Sequence, residues 1–210
     1  MAARQGTPTK GEQTRRRIIE LAAPVFNRCG YVGASMRDLV EATGLEKGGI
    51  YNHFASKEEL ALAAYDHAME TVTRGLARSQ EGARDAPERL ERMIRGFATA
   101  ARRPVVEGGC PIMNAAIEAD DTNPALRDRA RESMTRWHRM IGRIVKDGVA
   151  EGTLRAGTDP YDLASYLTAA LEGGLMLARL YDDPAHMDRV VAHLVAHVQT
   201  LRADPPEEGR

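Results

Sequence analysis

Apolar residues recur every three or four positions along most of this 210-residue chain, a spacing that places them on one face of an α-helix. No segment shows the alternation of apolar and polar residues that indicates a β-strand. Several Asp or Asn residues stand beside a proline, which is typical of a helix start. The pattern predicts an all-α protein of about nine helices, which lie, outside the segment 31–56, near 12–29, 57–78, 87–102, 111–119, 124–151, 160–182 and 184–202.

The two ends of the chain lack this helical pattern. Residues 1–11 are polar and contain glycine and proline, so we expect a flexible N-terminal arm. Residues 203–210 are polar and rich in proline, which predicts a disordered tail. Pro24 lies inside the first helix, where it removes a backbone hydrogen bond and predicts a kink.

Two short helices joined by a tight turn are predicted in the first third of the chain. Ser35 and Asp38 form a capping box at the start of the first helix, and Gly44 can take the left-handed conformation that ends it. The second helix, Lys47 to His53, is too short to be stable without packing. Another capping box at Ser56–Glu59 begins a third helix. Two helices across a glycine turn have the geometry that places the second in a DNA major groove.

The order of residues in this segment is more specific than its geometry. It resembles the DNA-binding domain of the tetracycline-repressor (TetR/AcrR) family of transcriptional regulators at Gly44-Leu45, Lys47-Gly48, Ile50-Tyr51, His53-Phe54 and Ser56–Leu60. The resemblance spans roughly residues 12–62. It implies a three-helix domain with a helix-turn-helix at 12–56 and a helical ligand-binding and dimerisation domain at 57–202. The residues it implies for DNA contact are Ser35, Arg37, Lys47, Gly48, Gly49, Tyr51, Asn52, His53 and Lys57.

Several of these side chains suit contact with phosphate. Lys57 stands at a helix N-terminus, where free N–H groups and the helix dipole favour an anion, and Ser35 and Arg37 open another helix. Tyr51 and His53 can donate hydrogen bonds to phosphate oxygens, which fixes the register without reading sequence.

Other positions in the second helix are candidates for reading bases. Lys47 matches guanine acceptors and Asn52 matches adenine. Glu46 and Gly49 depart from the commonest residues of the family, a small hydroxyl residue and threonine. An acidic residue there either repels phosphate or reads a cytosine amine, and glycine removes a contact while permitting close backbone approach. The operator sequence therefore cannot be borrowed from a relative.

The charge distribution agrees with DNA binding although the net charge is −1. The first 60 residues carry a balance of +2 and the remainder a balance of −3. The first 17 positions contain five basic residues and one acidic residue, Glu12. The basic residues are Arg4, Lys10 and Arg15–Arg17. A basic arm ahead of a helix-turn-helix favours phosphate contact, with a solvated tail as the alternative.

Other classes of protein find little support. No apolar run approaches the ~20 residues that would span a bilayer, and no secretory signal is recognisable, so we expect a cytoplasmic protein without membrane contact. No catalytic constellation or phosphate loop is present, which argues against an enzyme and against a cofactor. His186, His193 and His197 lack a further ligand at matching spacing, so no metal site is expected.

A seam of apolar residues in the last helix predicts a helix partner. Its residues repeat at a spacing of four and three, as in packed helices, and the preceding helix offers a matching face. The resemblance favours a homodimer, and packing inside one chain is the alternative. The predicted interface residues are Leu167, Leu171, Gly174, Met187, Val191, Leu194 and Val198.

The middle helices hold flexible methionines and a few aromatic residues, which can form an adaptable apolar cavity or an ordinary core. The candidate ligand residues are Met93, Phe97, Met113, Asn114, Trp137 and Tyr166, with Glu118 as a second polar group beside Asn114. These observations predict a repressor that a small apolar ligand releases from a palindromic double-stranded DNA operator by shifting a conformational equilibrium. The alternative is a redox or electrophile sensor at Cys110, whose thiol precedes a helix.

Overall fold

The computed structural model describes residues 8–119 and 123–203. Within these ranges the chain forms nine α-helices and no β-strand, which confirms the predicted all-α class. Every boundary predicted by number falls within two residues of the observed one. The helices are α1 (Lys10–Cys29), α2 (Met36–Thr43), α3 (Lys47–Tyr51), α4 (Lys57–Ser79), α5 (Ala86–Arg102), α6 (Pro111–Ala119), α7 (Pro124–Ala150), α8 (Pro160–Leu180) and α9 (Ala185–Thr200).

Helix α1 begins two residues before the predicted start. The Thr9 hydroxyl accepts a hydrogen bond from Glu12 N at 3.2 Å, and the Glu12 carboxylate accepts one from Thr9 N at 2.7 Å. This reciprocal pair satisfies two N–H groups of the first turn, so the end of the expected flexible arm is helical. Residues 1–7 of that arm, with Arg4, and residues 204–210 of the expected tail lie outside the described residues.

Pro24 lies within α1, and the helix continues through it to Cys29. Proline cannot donate the hydrogen bond that the carbonyl of Glu20 would normally accept. Ala22, Ala23, Val25 and Phe26 are buried on either side of it. Packing of this stretch in the core compensates for one missing helical hydrogen bond.

An N-terminal unit comprises the described residues of Met1–Glu70 and Val106–Arg127. Phe26 stacks on Tyr31 and Tyr31 meets the edge of Tyr65, with 5.9 Å between ring centroids in each pair. Burial raises the pKa of the Tyr31 hydroxyl far above its usual value. Besides the first three helices, the unit contains the first part of α4 and the whole of α6.

A C-terminal unit comprises the described residues of Thr71–Val105 and Asp128–Arg210, in which α5, α8 and α9 pack together. The seam that was predicted as a dimer interface lies inside this packing. Its members are buried within a single chain: Leu167, Leu171, Gly174, Met187, Val191, Leu194 and Val198. A Cβ built on Gly174 would lie 3.1 Å from Val190 Cγ2 of the same chain.

These buried residues have no surface left for a partner subunit. The seam therefore packs the core of one chain, as the alternative interpretation of the sequence expected. None of the described helices is long and apolar enough to cross a membrane.

Candidate nucleic-acid interface

The α2–α3 corner forms because each of its local signals is satisfied. Ser35 N donates to Asp38 Oδ2 at 2.8 Å, and Asp38 N donates to Ser35 Oγ at 3.2 Å. The hydrogen bonds from the Ser35 side chain and backbone hold the pKa of the Asp38 carboxyl below its usual value. Gly44 ends α2 with φ of 68° and donates from its N–H to Val40 O at 2.9 Å. Such a left-handed residue reverses the chain and sets the angle between the two helices.

The short helix α3 packs on the core through Ile50. Ile50 is almost completely buried, whereas Lys47, Gly48, Tyr51 and Asn52 are exposed. The ammonium of Lys47 lies 5.8 Å from the centre of the Tyr51 ring. The predicted base-reading residues thus lie on a solvent-facing surface with donors available for DNA.

The two glycines of α3 are not required by the packing of this chain. Neither has a positive φ, and a Cβ on Gly48 would meet no heavy atom within 4 Å. A Cβ on Gly49 would make an ordinary contact of 3.6 Å with Leu45 Cβ. Glycine lowers helix stability relative to alanine, so two glycines here need a reason other than folding. Close approach of a binding partner to the backbone of α3 is such a reason.

Lys57 has a structural role that the sequence did not reveal. Its ammonium donates to Val32 O at 2.9 Å and to Ala34 O at 3.0 Å, which holds the turn between α1 and α2. An ammonium has three donors, so one proton remains for a phosphate. Ser35 and Arg37, at the start of α2, are exposed, and His53 is half-buried.

The basic stretch at the start of α1 is partly used by the fold. The Arg15 guanidinium lies 4.5 Å from the centre of the Phe54 ring and donates to Glu59 Oε1 at 3.1 Å. Arg16 donates to Glu20 at 2.8 Å. Lys10 and Arg17 are exposed. Only part of the predicted positive arm is therefore available to phosphates.

Helix α6 is tied to the N-terminal helices by polar contacts. Asn114 Nδ2 donates to Asn27 O and Asn27 Oδ1, each at 3.0 Å. Asn27 Nδ2 in turn donates to Glu107 O at 2.8 Å and to Gly109 O at 3.1 Å. Asn27 is buried, so each of these hydrogen bonds replaces one it would otherwise make with water.

The carboxylate of Glu118 holds the turn that follows α1. Its oxygens accept from Tyr31 N at 2.6 Å and Val32 N at 2.7 Å. Asn114 and Glu118, which we considered as polar groups of a ligand cavity, therefore face the N-terminal helices. Their partners Asn27 and Tyr31 lie 87 positions away in the sequence, so no local pattern predicts these contacts.

The candidate ligand residues do not form one group. Met93 is fully buried, and the rings of Phe97 and Trp137 lie 6.4 Å apart. Trp137 Nε1 donates to Thr168 Oγ1 at 2.8 Å, and His138 Nε2 lies 3.3 Å from the same oxygen. These residues combine apolar rings with a few polar atoms, as ligand sites do.

Two of the other candidates lie elsewhere. Met113 belongs to α6 in the N-terminal unit. Tyr166 is 48% exposed and meets the edge of the His197 ring at 5.2 Å. Tyr166 and His197 line an open cleft of about 340 Å³ together with Asp159, Asp162 and Leu201. Tyr166 is thus an outward-facing residue of α8.

Cys110 directly precedes α6 and is half-buried, and its carbonyl accepts from Asn114 N at 3.0 Å. Cys29 is exposed, and neither cysteine is in a disulfide. His186 stacks on Tyr181 with 5.1 Å between ring centroids. Within 8–119 and 123–203, no three His, Cys, Asp or Glu residues are grouped so as to hold a metal ion.

Comparisons with known proteins agree along the chain. Residues 18–64 match the family described as bacterial regulatory proteins, tetR family, and residues 86–194 match the tetracyclin repressor-like C-terminal domain. A TetR transcriptional regulator from Chloroflexus aurantiacus has a crystal structure similar to this one, with a TM-score of 0.89 and 41% identity. That similarity covers 93% of this chain and 99% of the other.

Two further relatives are informative. A cysteine-substituted CifR regulator, solved with a 26 bp double-stranded operator DNA, has a TM-score of 0.78 and 25% identity, covering 93% of this chain and all of CifR. The HTH-type transcriptional repressor DhaR of Mycobacterium sp. is 23% identical over 175 residues, or 83% of this chain and 87% of DhaR.

Proposed function

Since the chain belongs to the tetracycline-repressor family of DNA-binding transcriptional regulators, which are not enzymes, we propose that it represses transcription as a homodimer on a palindromic operator and leaves the operator when a small apolar ligand binds. The exposed face of α3, with Lys47, Tyr51 and Asn52 around the buried anchor Ile50, carries this proposal. The operator complex of the relative CifR supports it.

The direct test uses a double variant of that face. Lys47→Ala/Tyr51→Ala removes one positive charge and one phenol, and should weaken operator binding by at least about tenfold. Arg131→Ala/Tyr161→Ala makes the same chemical change on exposed residues of α7 and α8. Fluorescence anisotropy with a labelled duplex selected by the wild-type protein measures the operator affinity of both double variants and of the wild type. Equal affinity of both double variants and wild type would remove α3 from the interface.

An exposed apolar stripe on α8 supports the homodimer. Tyr166, Met176 and Leu180 recur at helical spacing, and Met176 and Leu180 are 48% and 71% exposed. Gly173 lies in the same stripe and has open space around it. Contiguous exposed apolar residues mark interaction surfaces, and the two-fold symmetry of a homodimer matches a palindrome.

A group of residues in the C-terminal unit supports release by a ligand. The group of Phe97, Trp137, Thr168 and His138 offers rings and polar atoms for a small molecule. A ligand shifts the equilibrium only if it binds the DNA-free state more tightly. A displaced α6 would pull on Asn27 and on the turn before α2, since Asn114 and Glu118 hold them.

Fluorescence of Trp137, the single tryptophan, tests this step. A panel of small neutral aromatic compounds should include some that change this fluorescence and release the labelled operator. Trp137→Ala should blunt that release while leaving ligand-free operator binding nearly intact. Trp137→Phe keeps one aromatic ring and loses the hydrogen bond to Thr168, so it should still release the labelled operator when the ligand binds. If every compound that releases DNA acts equally on Trp137→Ala, the pocket lies elsewhere.

Thiol sensing at Cys110 is a second candidate, because this residue lies between Gly109, whose carbonyl accepts from Asn27, and the first turn of α6. A bulky adduct on its sulfur would disturb that junction. An alkylating reagent should then prevent operator binding by the wild type and by Cys29→Ser. The Cys110→Ser variant should still bind the operator after the same treatment.

A further inference from the structure

Glu46 directly precedes the helix α3, yet its side chain makes no hydrogen bond with the helix that it precedes. Its carbonyl accepts hydrogen bonds from Gly49 N at 2.8 Å and Ile50 N at 3.2 Å. The carboxylate caps no N–H group, is exposed to solvent and has no ion pair with any described residue. By contrast, the side chains of Thr9, Ser35 and Asp85 each cap the helix that they precede. Folding therefore does not explain an acidic residue at this position.

The surface beside Glu46 is open. Gly48 has no neighbour within 4 Å of a built Cβ, and Gly49 only an ordinary contact with Leu45. At Gly48 and Gly49 the first turn of α3 thus presents backbone rather than side chains. A groove floor can approach such a surface closely, which would bring the carboxylate within reach of base edges.

The chemistry of the major groove limits what this carboxylate can bind. It accepts hydrogen bonds and cannot donate them, and phosphates on the groove walls repel it. The donors on the groove floor are the N4 amine of cytosine and the N6 amine of adenine. Adenine presents its N7 acceptor beside that amine, which repels the second carboxylate oxygen, whereas cytosine presents only the amine. Cytosine is therefore the best partner for Glu46.

Lys47 strengthens this preference. It is exposed, and an ammonium matches the O6 and N7 acceptors of guanine. An acceptor and a donor on adjacent residues at the start of α3 together fit C·G pairs better than A·T pairs.

We propose that Glu46 determines the sequence specificity of this regulator by accepting a hydrogen bond from the N4 amine of one cytosine in each operator half-site. This inference rests on the proposed function, because it requires α3 to lie in the major groove. It gives a distinct role to a residue that departs from the common pattern of the family.

The test is selection of duplexes from a random library by the full-length wild-type protein, Glu46→Gln and Glu46→Ala. The wild type should enrich cytosine at one position of each half-site, by about tenfold over thymine. Glu46→Gln should shift that position towards adenine, because an amide can pair with both N6 and N7. Glu46→Ala should lose the preference there and keep the other positions. All three proteins should unfold at similar temperatures, since the carboxylate caps no N–H group and is exposed to solvent.

Glu41→Gln is the matched control, an exposed acid on α2 that is changed in the same way. Removing its charge should weaken repulsion from all DNA and leave the enriched bases as in wild type. If Glu46→Gln and Glu46→Ala enrich the same bases as wild type, the role of Glu46 is overturned while operator binding stands. If the wild type enriches no half-site, the proposed function fails and this inference fails with it.

Discussion

Gly48 is a residue at which the requirements of folding and of DNA binding differ. A methyl group there would meet open space, so Gly48→Ala should stabilise the protein by up to about 1 kcal/mol, because alanine favours the helix. The same methyl group would stand between α3 and the groove and should weaken operator binding. Urea unfolding and anisotropy measure the two effects.

Gly75 in α4 provides the control, because a Cβ on it also meets nothing within 4 Å. Gly75→Ala should stabilise the protein similarly and leave operator affinity unchanged. A Gly48→Ala variant that bound the operator as tightly as wild type would show that DNA does not approach this face.

Asp38 makes the stability of the helix-turn-helix depend on pH. Hydrogen bonds from Ser35 lower the pKa of its carboxyl in the folded state, from an ordinary value of 3.8. Its contribution is therefore present above about pH 3.8 and is lost as the pH falls through the lower folded pKa. Urea midpoints measured between pH 7 and pH 2 should fall less for Asp38→Ala and Ser35→Ala than for wild type. An unchanged pH dependence in both variants would contradict this assignment.

Among single residues, contacts between near neighbours in the sequence could be predicted and distant contacts could not. The capping box of Ser35 and Asp38 and the left-handed Gly44 could be predicted because each depends on neighbours within a few positions. The hydrogen bonds from Lys57 to Val32 O and Ala34 O could not be predicted, because they reach a turn more than 20 positions away.

At the scale of elements, α8 has two apolar faces, one of which packs against α9, and periodicity alone does not distinguish them. The more regular seam, which contains Leu194 and Leu171, is buried in one chain. The less regular stripe with Met176 and Leu180 remains exposed. Both faces have helical spacing, so only the packed structure shows which one the chain itself uses.

The proposed interface leads to a test with two contrasting variants. Met176→Glu places a charge on the exposed stripe and should raise the dimer dissociation constant at least about 100-fold, or roughly 3 kcal/mol, with the fold retained. Leu194→Glu places the same charge in the core and should unfold the C-terminal unit instead. Sedimentation and circular dichroism distinguish these outcomes. A folded Met176→Glu dimer as stable as wild type would move the interface to another surface.

Helix α6 illustrates a different limit. Its bounds at Pro111–Ala119 were predicted correctly from the glycines that precede it, Gly108 and Gly109. Its polar residues were assigned to a ligand cavity because Asn114 and Glu118 lie one turn apart. Their partners, Asn27 and the turn at Tyr31, are distant in sequence, so the direction of that helical face could not be predicted.

For the whole molecule, the helical class and the family followed from periodicity, capping and the residues around α3, and the comparisons confirm both. Periodicity and capping did not indicate that α4 belongs to both packing units or that α6 belongs to the first. The charge distribution along the sequence also overstates the positive charge available to DNA, because Arg15 and Arg16 form ion pairs with Glu59 and Glu20.

The central claim is that this chain recognises DNA sequence through two copies of α3. The most direct measurement is hydroxyl-radical footprinting of the full-length protein on a duplex that it has itself selected, with a shuffled duplex of equal composition alongside. The account predicts two protected half-sites centred about 10–10.5 bp apart, or a multiple of that spacing, at two protomers per duplex. Equal protection of the shuffled duplex, or a single protected half-site at saturation, would contradict it.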